Sequence, residues 1–141
     1  MTTTKQRAEQ FRKSRVILHC CGCDCFVKPR LTNGGEVYPH RPDLKNLYFW
    51  KCQTCGNYVG CHHKTKDKTR PKGCIPTPEV REARKNVHSI LDPMWRSGKM
   101  KRNKIYSMLS KHIGSEYHTG NTRSVGECNN IVKFLEALES E

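Results

Sequence analysis

Nine cysteines in 141 residues are the first chemistry this sequence offers. Cys20, Cys21, Cys23 and Cys25 crowd one segment, Cys52 and Cys55 mark another, and Cys61, Cys74 and Cys128 stand apart. Cys20-x2-Cys23 and Cys52-x2-Cys55 have the spacing at which a tight turn points two sulfurs to one side. Two such turns supply the four corners of a tetrahedron. Soft thiolates in that arrangement select zinc over magnesium or calcium. Zn2+ is therefore the expected cofactor, with Cys20, Cys23, Cys52 and Cys55 as ligands. Cys21 and Cys25 are alternative ligands in the first cluster, an iron–sulfur cluster is the alternative cofactor, and merely buried, reduced thiols are the plain structural reading. The odd cysteine count and the polar opening of the chain argue for reduced thiols over a disulfide framework. Four protein ligands close a zinc site, so the metal explains folding before it explains function.

A second set of chemically capable residues lies outside those pairs: Cys61, His62, Arg84, His88, Asp92, His118 and Cys128. Arg84, His88 and Asp92 step by four and share one helical stripe. In the structural reading, His88 serves a buried carbonyl, Asp92 caps a turn at Pro93, and Cys61 and Cys128 fill core space. In a second, Cys61, His62, His88 or His118 hold another metal. In a third, His88, Asp92 and His62 serve a metal-dependent nuclease, since His and Asp activate water beside a cation. Carboxylates are scarce for that chemistry: the chain has four Asp. It also lacks a Gly-rich phosphate loop, a nucleophile elbow and a helical zinc-protease motif. No catalytic residue is assigned, and the structural reading is preferred.

Charge points to the partner. Lys and Arg number 26 against 13 Asp and Glu, a net +13 with His neutral. Basic residues concentrate in residues 1–15, 62–72 and 79–102. Phosphate contacts supply most sequence-independent affinity for nucleic acid, so Lys64, Lys66, Arg70, Arg81 and Arg102 are the candidate contacts to DNA or RNA. A host or phage protein is the alternative partner, which would make the chain a protein-only inhibitor or adaptor. No apolar run approaches the ~20 residues that span a bilayer, and the opening residues do not read as a secretory signal. The expectation is a cytoplasmic protein (host cytoplasm, if phage-encoded) with no membrane partner.

These side chains need elements to position them. Residues 1–15 read as a basic arm, 16–63 as a zinc ribbon, 64–76 as a basic loop and 77–141 as a helical part. Val16-Ile17-Leu18 and Leu47-Tyr48-Phe49-Trp50 lead into the cysteine pairs, while Phe26-Val27 and Tyr58-Val59-Gly60 leave them. The 28 residues between the pairs exceed the ~15–20 of the compact pattern, so residues 29–46, with a turn signal at Asn33-Gly34-Gly35, are expected to loop out. Thr77 and Pro78 open a helix whose apolar face carries Val80, Ala83, Val87, Ile90, Leu91 and Met94, and Pro93 should end or kink it. A second helix runs from about Lys101 to His112, stopped by Gly114. A third starts at the Ser124-x2-Glu127 capping box and buries Cys128, Ile131, Leu135 and Leu138; its acidic end should fray. The predicted fold is α+β: a zinc-ribbon-like hairpin half followed by three helices packed on it in one compact domain.

With those segments in place, the chain resembles the zinc-finger-containing domain family of unknown function found in phages and prophage-bearing bacteria. The matching residues are Cys20-Cys-Gly-Cys23, Tyr38-Pro39, Cys52-x2-Cys55 and Tyr58-Val-Gly-Cys-His62. Arg81-x2-Arg84-x3-His88-x3-Asp92-Pro-x-Trp95, Lys101-Arg102-x3-Tyr106, His118-x-Gly120 and Cys128 continue the match. They cover about residues 18–135. The chain departs from the family at Pro71-Lys-Gly73, where the middle residue is usually Leu, and at Thr119. The resemblance implies a fold and a phage origin; it implies no reaction.

Overall fold

The structure, a computed structural model, describes residues 16–140. The expected basic arm at 1–15 and the last acidic residue, Glu141, lie outside the described residues. The chain divides into two compact units at Thr77 and Pro78.

The first unit is built from hairpins. Strand β1 (Leu18–Cys20) pairs antiparallel with β2 (Cys25–Val27), placing Cys20 opposite Cys25. A second sheet has the order β3 (Arg30–Asn33), β4 (Tyr48–Lys51), β5 (Tyr58–Gly60), antiparallel throughout. Its central strand is rich in aromatics, as a pleated, half-buried surface favours. Trp50 is fully buried, and its indole N–H donates to the Thr69 carbonyl at 2.6 Å. Cys20, Cys52, Val59, Cys61 and Ile75 complete this core. Past β5 the chain bridges Cys61 to Pro71 and then returns to β1, where Ile75 bridges Cys20 in parallel.

Two expectations for this half are corrected. Residues 29–46 do not simply loop out: Arg30–Asn33 forms a paired strand, and Gly34–Val37 forms a one-turn helix, α1. The described residues therefore hold four α-helices, not three. The turn exists because the Asn33 side chain accepts the Glu36 N–H at 3.3 Å, satisfying a donor at the helix start. Glu36 then ties the turn to the sheet, accepting from Arg30 at 2.5 Å and from the Thr32 hydroxyl. These bonds, led by Arg30, bring the Glu36 carboxyl down to about 2. Gly34 is required on steric grounds. It is buried, it donates to the Leu47 carbonyl at 2.9 Å, and the Leu44 carbonyl fills the space a Cβ would take. Gly34→Ala is expected to lower stability by about 2–3 kcal/mol, read as a lower urea midpoint at unchanged slope.

The second unit holds α2 (Pro78–Arg96), α3 (Arg102–Ile113) and α4 (Val125–Glu139), with a 3-10 turn at Thr119–Asn121. Val87, Leu91, Met94, Ile105, Leu109, Tyr117, Cys128, Ile131 and Leu135 form its own apolar core. Pro93 does not end α2, which runs unbroken to Arg96. Proline removes one backbone donor, and here the loss falls in the last turn, where the Ser97 N–H still closes onto the Pro93 carbonyl at 3.0 Å. Gly114, left-handed at φ 82°, closes α3 with its N–H on the Ser110 carbonyl. Ser124 caps α4 by accepting the Glu127 N–H at 3.1 Å, and the Glu127 carboxylate reaches back to the Arg123 N–H at 2.9 Å. The α4 helix holds to Glu139 despite its acidic end. Among the described residues, no helix is long and apolar enough to cross a membrane.

Candidate metal centre

The turn after β1 and the turn after β4 bring Cys20, Cys23, Cys52 and Cys55 together, with all four sulfurs within 4.8 Å of one another. Cys20 and Cys55 approach to 3.4 Å, and Cys23 and Cys52 to 3.7 Å. A tetrahedron with metal–sulfur bonds of about 2.3 Å has edges of about 3.8 Å, so the cluster has the size such an ion requires.

Local backbone geometry explains how each turn presents its pair. The residue after each second cysteine is left-handed: Asp24 at φ 52° and Gly56 at φ 80°. In the second turn, the Cys52 N–H donates to the Asn57 carbonyl at 2.8 Å and the Gly56 N–H to the Cys52 carbonyl at 3.0 Å. Charge is distributed unevenly over the sulfurs. Burial pushes the Cys20 thiol up, and the contact with the Cys52 sulfur holds Cys23 at about 12. Burial also opposes ionisation of Cys52, but hydrogen bonds from the backbone N–H groups of Cys55 and Thr54 and from the Cys55 and Cys23 thiols together outweigh it and bring that thiol to about 7. Cys52 is thus the most acidic of these three thiols.

A family model described as a zinc-finger-containing domain matches residues 16–137. The chain belongs to this family. No curated protein and no solved structure matches it. Membership in a zinc-finger-containing family and the four-sulfur cluster agree on a metal-binding chain. Of the alternative ligands, Cys25 is exposed and outside the cluster, while Cys21 lies beside Cys74, with its sulfur 4.0 Å away.

The remaining candidates fall into separate settings. Cys61 is buried in the first unit, where burial, followed by the Asp67 charge, pushes its thiol up to about 12. His62 is exposed beside it, and partial desolvation and the Arg70 and Lys72 charges hold its ring below the usual histidine range. In the second unit, Arg84 and Cys128 meet at Thr122. Arg84 Nε donates to Thr122 Oγ1 at 3.1 Å, its Nη2 donates to the Thr122 carbonyl at 2.5 Å, and the Cys128 thiol donates to Oγ1 at 3.4 Å. Thr122 in turn donates to the Thr119 carbonyl, and Tyr117 shares a 2.6 Å hydrogen bond with the Thr119 hydroxyl. His118 is exposed, 3.3 Å from Glu116, on the rim of an open cavity of about 530 Å³.

Asp92 does not cap a turn, because α2 continues through it. Its Oδ1 accepts the Trp95 indole N–H at 3.2 Å and lies 3.4 Å from His88 Nδ1. Asp92→Ala is expected to cost about 1–2 kcal/mol, seen as a lower melting temperature with secondary structure retained; an unchanged melt would leave the carboxylate without this structural role.

The basic residues divide between the units. Lys64, Lys66 and Arg70 are exposed on the 62–72 loop, together with Lys68 and Lys72. Arg81 is half-buried on α2, and Arg102 lies 4.2 Å over the Tyr106 ring at the start of α3. Sequence reasoning passed over two residues that the fold places beside Cys21: His19 and Cys74.

Proposed function

We propose that the chain is a zinc-holding module that binds nucleic acid, DNA or RNA, through the basic loop at residues 62–72, with no chemistry of its own. The zinc held by Cys20, Cys23, Cys52 and Cys55 is structural, since four protein ligands leave no open position for substrate. The observation that carries the binding role is the arrangement of charge on an ordered loop. Its base is closed by the His62 N–H on the Arg70 carbonyl at 2.8 Å and by the Lys72 N–H on the Gly60 carbonyl at 2.9 Å. The loop's one acid, Asp67, is half-buried and accepts from the Thr69 N–H at 3.1 Å and hydroxyl at 2.7 Å. Five cationic side chains are left facing solvent, and among the described residues none forms an ion pair.

Net charge is compatible with this role. Four thiolates and one Zn2+ lower the formal +13 by two, so the molecule stays strongly cationic and attracts polyanions. Arg81 and Arg102 are further contacts on the second unit, and the exposed guanidinium over Tyr106 offers a face for a base to stack on. The test is incubation of the zinc-loaded full chain with labelled single- and double-stranded DNA and RNA, with and without magnesium or manganese. The expected result is a retarded, intact oligonucleotide. Metal-dependent cleavage would replace this reading with the nuclease using His88, Asp92 and His62. Absence of binding to every strand type would favour a protein-only partner.

A further inference from the structure

The geometry points to a second metal site, formed by His19, Cys21 and Cys74, that takes a thiophilic divalent cation, zinc foremost. A ring nitrogen of His19 and the sulfurs of Cys21 and Cys74 all lie within 4.8 Å of one another. The two sulfurs are 4.0 Å apart, close to the edge of about 3.8 Å expected for two thiolates on one tetrahedral zinc. A disulfide needs about 2.05 Å.

The strand explains why these residues meet. Side chains alternate along an extended segment, so Cys20 enters the four-sulfur cluster while His19 and Cys21, on either side of it, enter the second group. Cys74 arrives because the chain returning from the basic loop docks on β1. There the Ile75 N–H donates to the His19 carbonyl at 2.8 Å, and the Cys21 N–H donates to the Ile75 carbonyl at 2.9 Å.

His19 supplies an independent observation. It is 7% exposed, and its Nδ1 is buried with no hydrogen-bond partner among the described residues. A buried ring nitrogen is normally satisfied, and a metal ion satisfies it. The ring's other nitrogen, Nε2, faces Asp24 Oδ1 at 3.7 Å, and the ring packs edge-on against Phe26. Metal-bound histidines commonly direct the second nitrogen at a carboxylate, which fixes the ring and raises its basicity. Two thiolates and an imidazole suit zinc. Three protein ligands leave one tetrahedral position to water or another small ligand.

This inference is independent of the nucleic-acid reading. A second ion would pin the end of the 62–73 segment to the first cysteine turn, steadying the base of the cationic loop.

Native mass spectrometry of the full chain, folded with zinc, tests it. Wild type should carry two ions, Cys74→Ser and His19→Ala one each, and Cys25→Ser two. Asp24→Asn should keep both but bind the weaker ion about 10–100-fold less tightly. Cys52→Ser, which unfolds the unit that carries both sites, should hold no ion, so failure of the four-sulfur site (none bound) is scored separately from failure of the second site (one bound). Should Cys74→Ser fail to fold, His19→Ala keeps every thiol and still decides the matter. Alkylation of wild type is a further check: Cys21 and Cys74 should be protected in the zinc-loaded protein and modified after chelation. One zinc in wild type, two in His19→Ala, or a Cys21–Cys74 disulfide in the zinc-treated protein would overturn the site.

Discussion

Cys52→Ser should lose the ion of the four-sulfur cluster and unfold the hairpin unit, leaving the helical unit folded. Zinc binding to a small structural site contributes about 10–16 kcal/mol in favourable cases, more than the roughly 5–15 kcal/mol that holds a whole domain together. The hairpin unit has little else to hold it: its core is six residues, three of them cysteines. Removing the buried Cys52 thiol leaves three ligands and an incomplete tetrahedron. Hydrogen exchange should show lost protection at the Trp50 and Val59 amides and retained protection at Val87, Leu91 and Leu109. The helical residues have their own buried cluster, which contains no metal ligand. A Cys52→Ser protein with unchanged metal content and an unchanged melt would refute the assignment. Chelation of wild type should reproduce the same pattern and be reversed by added zinc.

Arg84→Ala should be among the most damaging changes at a polar residue of the helical unit. Arg84 is 9% exposed, and its guanidinium supplies both the hydroxyl and the carbonyl of Thr122 with donors. Its removal strips two hydrogen bonds from a buried residue that also engages Cys128 and Thr119. A buried acceptor left unpaired costs about 1–3 kcal/mol, and the missing side chain leaves a cavity as well. A loss of about 3 kcal/mol is expected, read as a lower thermal midpoint. Arg84→Lys should recover little, because an ammonium cannot present the same planar fork of donors. A loss below about 0.5 kcal/mol, the range typical of neutral surface changes, would contradict the role given to this network.

The sequence was most legible where spacing is local. Two Cys-x2-Cys pairs announce themselves because a turn of that length forces both sulfurs to one side. The α3 and α4 ends were readable because Gly114 and Ser124 satisfy backbone groups within a few residues. The helical turn at Gly34–Val37 was obscured because Asn33-Gly34-Gly35 reads equally as a turn. What selects the helix is the Asn33 cap, with Leu44 and Leu47 packed or bonded against Gly34. Pro93 misled for a related reason: the cost of a proline depends on how much helix follows it, and only three residues do. Arg84 was visible only as part of a stripe with His88 and Asp92, yet the fold pairs it with Thr122, 38 residues away. Cys74 lies 53 residues from Cys21, beyond any local pattern. The available clue was the alternation His19-Cys20-Cys21, which puts two metal-capable side chains opposite the first ligand.

The salt dependence of binding tests the central claim most directly. Affinity of the zinc-loaded chain for a DNA duplex should fall linearly with salt on a log–log plot, with a slope of about −0.9 for each phosphate contacted. Neutralising Lys64, Lys66 and Arg70 together should make that slope shallower by about two to three units and weaken binding about equally across sequences. A wild-type slope near zero, or a slope unchanged in the triple variant, would mean that the exposed cations of this loop do not contact phosphate.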